Sequence, residues 1–113
     1  MKKFKGKVIK GIQKGRVLGF PTANIDVGQS LDSGIFAGFV FFNNIKHQSA
    51  LYLPGGKIIE AYIFDFSENL YEKEIEVEII KKIRKKIDFK TVDEAKKQIA
   101  KDIQEIKNIL NNL

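Results

Sequence analysis

Thr22 and Asn24 stand two residues apart, directly after a proline and a glycine-rich run: Gly11-Ile12-Gln13-Lys14-Gly15-Arg16-Val17-Leu18-Gly19-Phe20-Pro21. Pro21 fixes its own φ and biases Phe20 toward an extended conformation. If the chain stays extended after Pro21, Thr22 and Asn24 project to the same side. Two neutral oxygen donors on one face suit a Mg²⁺ ion whose charge is compensated mainly by a nucleotide. The run before them fits that chemistry. Gly11, Gly15 and Gly19 let the backbone take positive φ and let another group approach closely. Lys14 and Arg16 would add cationic side chains to backbone N–H groups around a phosphate chain. The spacing matches neither a Walker A loop nor the dinucleotide fingerprint, and from spacing alone glycines between strands are more often plain turns.

Glu60 is the second candidate. It lies in an apolar, β-prone stretch, sharing a face with Ile58, Tyr62 and Phe64. A carboxylate buried there loses solvation and is then paired or functional, whereas one facing water between two aromatic side chains needs no special role. Arg84 stands in Lys81-Lys82-Ile83-Arg84-Lys85-Lys86. The lysines read as a solvated face, while Arg84 is a candidate to contact phosphate or brace a carboxylate. His47, the sole histidine, is expected to be exposed near a hairpin turn. Nothing has the spacing of a transition-metal site or of a Ser–His nucleophile pair.

These residues need strands to hold them. Extended segments are expected over 4–12, 22–27, 35–42, 45–53, 57–66 and 73–83. Asn43-Asn44 reads as a tight hairpin turn. Segment 35–42 is almost wholly apolar and is expected to be buried on both faces. In 73–83, Ile75, Val77 and Ile79 alternate with Glu74, Glu76 and Glu78. The period then changes. Thr91-Val92-Asp93-Glu94 forms a capping box in which Thr91 accepts from the Glu94 N–H and the Glu94 carboxylate returns to the Thr91 N–H. Val92, Ala95, Ile99, Ile103, Ile106 and Leu110 follow at helical spacing. Strands first and one amphipathic helix last argue for a mainly β protein: an antiparallel barrel with a C-terminal helix packed on it.

The 113 residues fit one domain, 1–113, with a single core. Apolar residues make up 43% of the chain, and nine Phe and three Tyr supply much of the bulk. The absence of cysteine excludes disulfides and thiolate metal sites. No apolar run is long enough to span a bilayer, and Met1-Lys2-Lys3 leads into no signal-peptide core, so a cytoplasmic location is expected. The net charge of +6 permits an anionic ligand, but the Lys-heavy composition is more simply read as a solvated basic surface.

The same residues resemble a known family. Gly6 to Gly11, Lys14-Gly15-Arg16 and Leu18-Gly19-Phe20-Pro21-Thr22-Ala23-Asn24-Ile25 look like the signature of riboflavin kinases, both stand-alone enzymes and the C-terminal domain of bifunctional bacterial FAD synthetases. Ser33-Gly34-Ile35-Phe36-Ala37, Ile59-Glu60-Ala61-Tyr62-Ile63-Phe64-Asp65-Phe66, Asn69-Leu70-Tyr71, Ile83-Arg84 and the stretch from Phe89 to Asp102 continue the likeness in order. The resemblance implies a six-stranded Greek-key β-barrel with a terminal helix. It implies ATP as phosphoryl donor, riboflavin as substrate and FMN as product. It places Mg²⁺ and the phosphates at Thr22 and Asn24, with Gly11, Lys14, Gly15, Arg16 and Gly19 around the nucleotide, and it makes Glu60 the catalytic base. Arg84 would contact phosphate or flavin. The sequence departs from the family at 50–57, where Ala50-Leu51-Tyr52-Leu53-Pro54-Gly55-Gly56-Lys57 replaces a longer stretch carrying Asn-Pro-Thr-Phe. No nucleotidyltransferase-like segment lies in these residues, so FAD synthesis is not expected of them.

Three readings follow. The first is a riboflavin kinase that works as a monomer on small-molecule substrates, with no membrane partner. The second is a barrel that binds flavin or nucleotide without turnover. The third is a basic β-barrel that binds nucleic acid, for which no aromatic stacking platform is tied to the basic residues.

Overall fold

The computed structural model describes residues 2–10 and 19–113. The described elements are β1 (Lys2–Ile9), β2 (Ala23–Asp26), β3 (Gly34–Phe42), β4 (Ile45–Leu53), β5 (Ile58–Ile63), β6 (Glu74–Arg84) and one helix, α1 (Val92–Asn111). The strands close into a six-stranded barrel in the order β1-β2-β5-β4-β3-β6, with every neighbouring pair antiparallel. β3, β4 and β5 form a meander and β6 returns to lie beside β3, which is Greek-key connectivity. A closed barrel leaves no strand edge for another chain to extend.

The local signals explain most element ends. Asn43 and Asn44 both take left-handed φ (52° and 62°), and Phe42 pairs with Ile45 across them. That is the two-residue hairpin whose twist matches its strands. Thr91 caps α1, its Oγ1 accepting from the Glu94 N–H at 3.1 Å. The return bond differs from expectation: Glu94 Oε2 accepts from the Lys90 N–H, at 3.2 Å. β5 ends at Ile63 rather than Phe66, because Asp65 takes φ 54°, which no strand continues through.

Two apolar clusters use the two faces of the sheet. Val8, Ile25, Val40, Leu51, Ile59 and Val77 fill the barrel. Ala37, Phe39 and Phe64 on the outside pack with Ile106 and Leu110 of α1. β3 serves both, since Val40 points inward while Ala37 and Phe39 point outward, so its continuous apolar run has two cores to fill. Gly38 lets β3 close against its neighbours: a Cβ there would collide with the Glu78 carbonyl of β6 and the Leu51 side chain. In β6 the register to β3 shifts twice, from Gly38↔Ile79 to Ala37↔Lys81 and from Phe36↔Lys82 to Ile35↔Arg84. The skipped residues, Ile80 and Ile83, both join the outer cluster. Such irregularities bend a strand.

His47 departs from its expected exposure. It shares its side of β4 with Ser49 and Leu51, is half-buried, and sets its ring 4.9 Å from that of Phe66.

Candidate active site

Sheet register brings the singled-out residues together. Directly paired residues on adjacent strands share a face, with side chains about 5 Å apart. Ile9 pairs with Asn24, Asn24 with Glu60, Glu60 with Tyr52, Tyr52 with Ile35, and Ile35 with Arg84. One row of outward-facing residues therefore crosses all six strands of the barrel. Glu60 sits beside Asn24 in this row, whereas Arg84 lies three strands away. At about 4.8 Å per strand, Arg84 is not placed to brace Glu60.

Two clefts flank the row. The first, of about 530 Å³, lies between the outer face of the barrel and α1. All six residues of the row line it, together with Thr22, Phe20, Tyr62, Phe89 and, from the helix, Ala95, Ile99, Asp102 and Ile103. Phe20 meets Tyr62 edge to face at 5.6 Å. The walls are therefore largely aromatic and aliphatic, a surface for a flat apolar group. The second cleft, of about 710 Å³, lies between the ends of β1 and β2 and the loop 66–71. Lys10, Ser67, Glu68 and Asn69 give it a more polar lining, with Leu70 and Tyr71 at its side. Thr22 and Asn24 line both clefts; Glu60 lines only the one under α1.

Thr22 precedes β2, and its Oγ1 is buried without a hydrogen-bond partner among the described residues. A buried hydroxyl left so costs stability unless a partner beyond the described residues engages it. Asn24 beside it is 8% exposed. No group of three or more carboxylate, histidine or thiol side chains that could hold a metal occurs among the described residues. The pair therefore fits a hard cation that brings its own anionic ligands, as Mg²⁺ does on a nucleotide. Gly19 takes φ 85° in the turn leading to Pro21, a conformation that favours glycine. Gly11, Lys14, Gly15 and Arg16 lie outside the described residues.

Arg84 is engaged with the helix. Its Nε donates to Asp102 Oδ1 at 2.9 Å and Oδ2 at 3.1 Å, and its Nη2 donates to Oδ2 at 2.7 Å. Nη1 donates to the Lys85 carbonyl, and the Phe89 ring lies 5.8 Å from the guanidinium carbon. Lys81, Lys82, Lys85 and Lys86 are exposed, as a solvated face should be. Asp102 is not among the functional residues expected from sequence, yet it carries a signal. Asp102 falls on the stripe Ala95, Ile99, Asp102, Ile106, Leu110, where an acidic residue breaks an apolar face. In the segment 50–57, Tyr52 and Pro54 help wall the cleft under α1.

A closed six-stranded barrel carrying a helix, with a hydroxyl and an amide side chain on the wall shared by two clefts and a carboxylate in one of them, is an architecture suited to joining two small molecules. The family model Flavokinase, riboflavin kinase, matches residues 2–110, and the chain belongs to that family. It is 36% identical over 117 residues to a bifunctional riboflavin kinase/FMN adenylyltransferase of Haemophilus influenzae, covering 95% of this chain and 38% of that protein. It is 36% identical over 107 residues to the RNA-binding riboflavin kinase RibR of Bacillus subtilis, covering 87% of this chain and 46% of that one. The chain thus spans less than half the length of these relatives. A crystal structure described as a macrolide-efflux protein from Streptococcus pneumoniae shares the fold, with a TM-score of 0.82 and 26% identity over 94% of this chain and 38% of that one. No helix among the described residues is long and apolar enough to cross a membrane.

Proposed function

We propose that this chain transfers the γ-phosphate of ATP to the 5′-hydroxyl of riboflavin, giving FMN and ADP, with Mg²⁺ required. The observation that carries this reading is the placement of Thr22 and Asn24 on the wall shared by both clefts, with Glu60 next to Asn24 on the side under α1. A transfer between two bound molecules needs a boundary of this kind.

The flavin ring enters the aromatic cleft beneath α1, and its ribityl chain runs toward Glu60. ATP occupies the cleft bordered by Lys10 and the loop 66–71. Thr22 and Asn24 would hold Mg²⁺. When bound, the ion neutralises charge on the phosphates. The ionised Glu60 carboxylate accepts the proton of the 5′-hydroxyl. The hydroxyl oxygen bonds to the γ-phosphorus as the bond from that phosphorus to the ADP oxygen breaks. Most of the catalysis is positioning and charge stabilisation, which a stiff barrel supplies by fixing Asn24 and Glu60 in one ladder.

Incubation with riboflavin, ATP and Mg²⁺ followed by chromatography tests the proposal. FMN and ADP appearing in equal amounts is the expected result. Folded protein that yields no FMN, where a known riboflavin kinase does, overturns it.

A further inference from the structure

α1 is held to the barrel by two different means. Toward its C-terminus, Ile106 and Leu110 are buried in the outer apolar cluster, and Gln48 of β4 donates to Asn111 Oδ1 at 2.7 Å. The preceding part faces the cleft under α1, with Ala95 and Ile99 among its lining. There, Asp102 joins helix to barrel. Its carboxylate takes the three-contact fork from Arg84, and Gln98 Nε2, one turn back, also donates to Oδ1 at 2.9 Å. The side chains of Arg84 and Asp102 are only 15% and 7% exposed. An arginine fork on a carboxylate fixes direction as well as distance, which an apolar contact does not.

From this we infer that the Arg84–Asp102 pair is a clasp that sets the opening of the cleft between α1 and the barrel. It thereby sets affinity for the flat acceptor held there. Both are positioning residues. The inference rests on the reading of that cleft as the riboflavin side, but its mechanical half stands apart from it. The pair acts at a distance from Thr22 and Asn24, so the nucleotide side should not sense its loss.

The test compares Arg84→Lys, Asp102→Asn and the double variant, each kept well below its melting temperature. Either single change should raise the KM for riboflavin about tenfold, a small displacement in a site that depends on fit, while the KM for ATP holds. The double variant should be no worse than the more affected single one, because both act through the same bond. Amide exchange should quicken in residues 92–102 and stay slow at 106–110. An unchanged riboflavin KM, additive effects, or equal losses for both substrates would overturn the clasp. If the unaltered protein makes no FMN, the functional proposal fails alone. The exchange arm still decides the clasp, which is overturned if exchange does not quicken in 92–102 or quickens along the whole helix.

Discussion

The two clefts that meet at Thr22 and Asn24 are built differently. The one under α1 has walls from the barrel face and from a separate helix, joined by a buried ion pair. The other is bounded by the ends of β1 and β2 and by the loop 66–71; just past that loop, residues 72–73 are tied to β1 by backbone bonds: Val8 N–H to the Lys73 carbonyl and Glu72 N–H to the Val8 carbonyl, both 2.9 Å. One side is shaped by packing between separate elements, the other by the barrel's own backbone. Changes in the helix should therefore alter one cleft and spare the other. Changes at Asn24 and Glu60, at the centre of the row, should stop the reaction without emptying either cleft.

The largest effect is expected on that row. Glu60→Gln keeps the size of the side chain and removes its capacity to take a proton, so turnover should fall by about 10²-fold or more. Binding of ATP, followed by calorimetry, should persist. Full activity in that variant would remove Glu60 as the base.

Thr22→Val sharpens the contrast from the shared wall. Loss of an outer-shell partner alone costs about 10–100-fold in metal affinity, so loss of a direct ligand should raise the Mg²⁺ needed for half-maximal rate by at least about tenfold. Stability should hold or rise, because an unsatisfied buried hydroxyl costs about 1–3 kcal/mol. Activity and melting temperature moving in opposite directions is the signature to look for. An unchanged Mg²⁺ requirement would contradict the metal assignment.

The smallest effect concerns the helix. Thr91→Ala removes the cap of α1 and should cost about 1 kcal/mol of stability. Riboflavin affinity should weaken slightly and ATP affinity should not. Equal weakening of both would erase the distinction between the clefts.

Much of this architecture was legible in the chain. Asn43-Asn44 announced its hairpin, Thr91 its cap, and the alternation from Glu74 to Ile79 its strand, because each is a local signal. Segment 35–42 declared its double burial by having no polar face. Other features depend on partners far along the chain. Asn24 and Glu60 are 36 positions apart in sequence, and only the β2–β5 register makes them neighbours. The register shifts at Ile80 and Ile83 interrupt a regular alternation that the sequence alone continues. Asp102 was visible as an acid on an apolar stripe, but its partner is set by how the helix lies across the barrel. The tilted contact of His47 with Phe66 likewise depends on the course of the chain after β5.

The most direct test of the two-cleft account is a crystal structure with Mg²⁺, ADP and riboflavin bound together. The account predicts the flavin ring between Tyr62 and α1, its terminal hydroxyl at Glu60, and the ADP phosphates at Thr22 and Asn24 with the nucleoside toward Leu70. Flavin in the cleft along the loop 66–71, or a metal distant from Thr22 and Asn24, would contradict it.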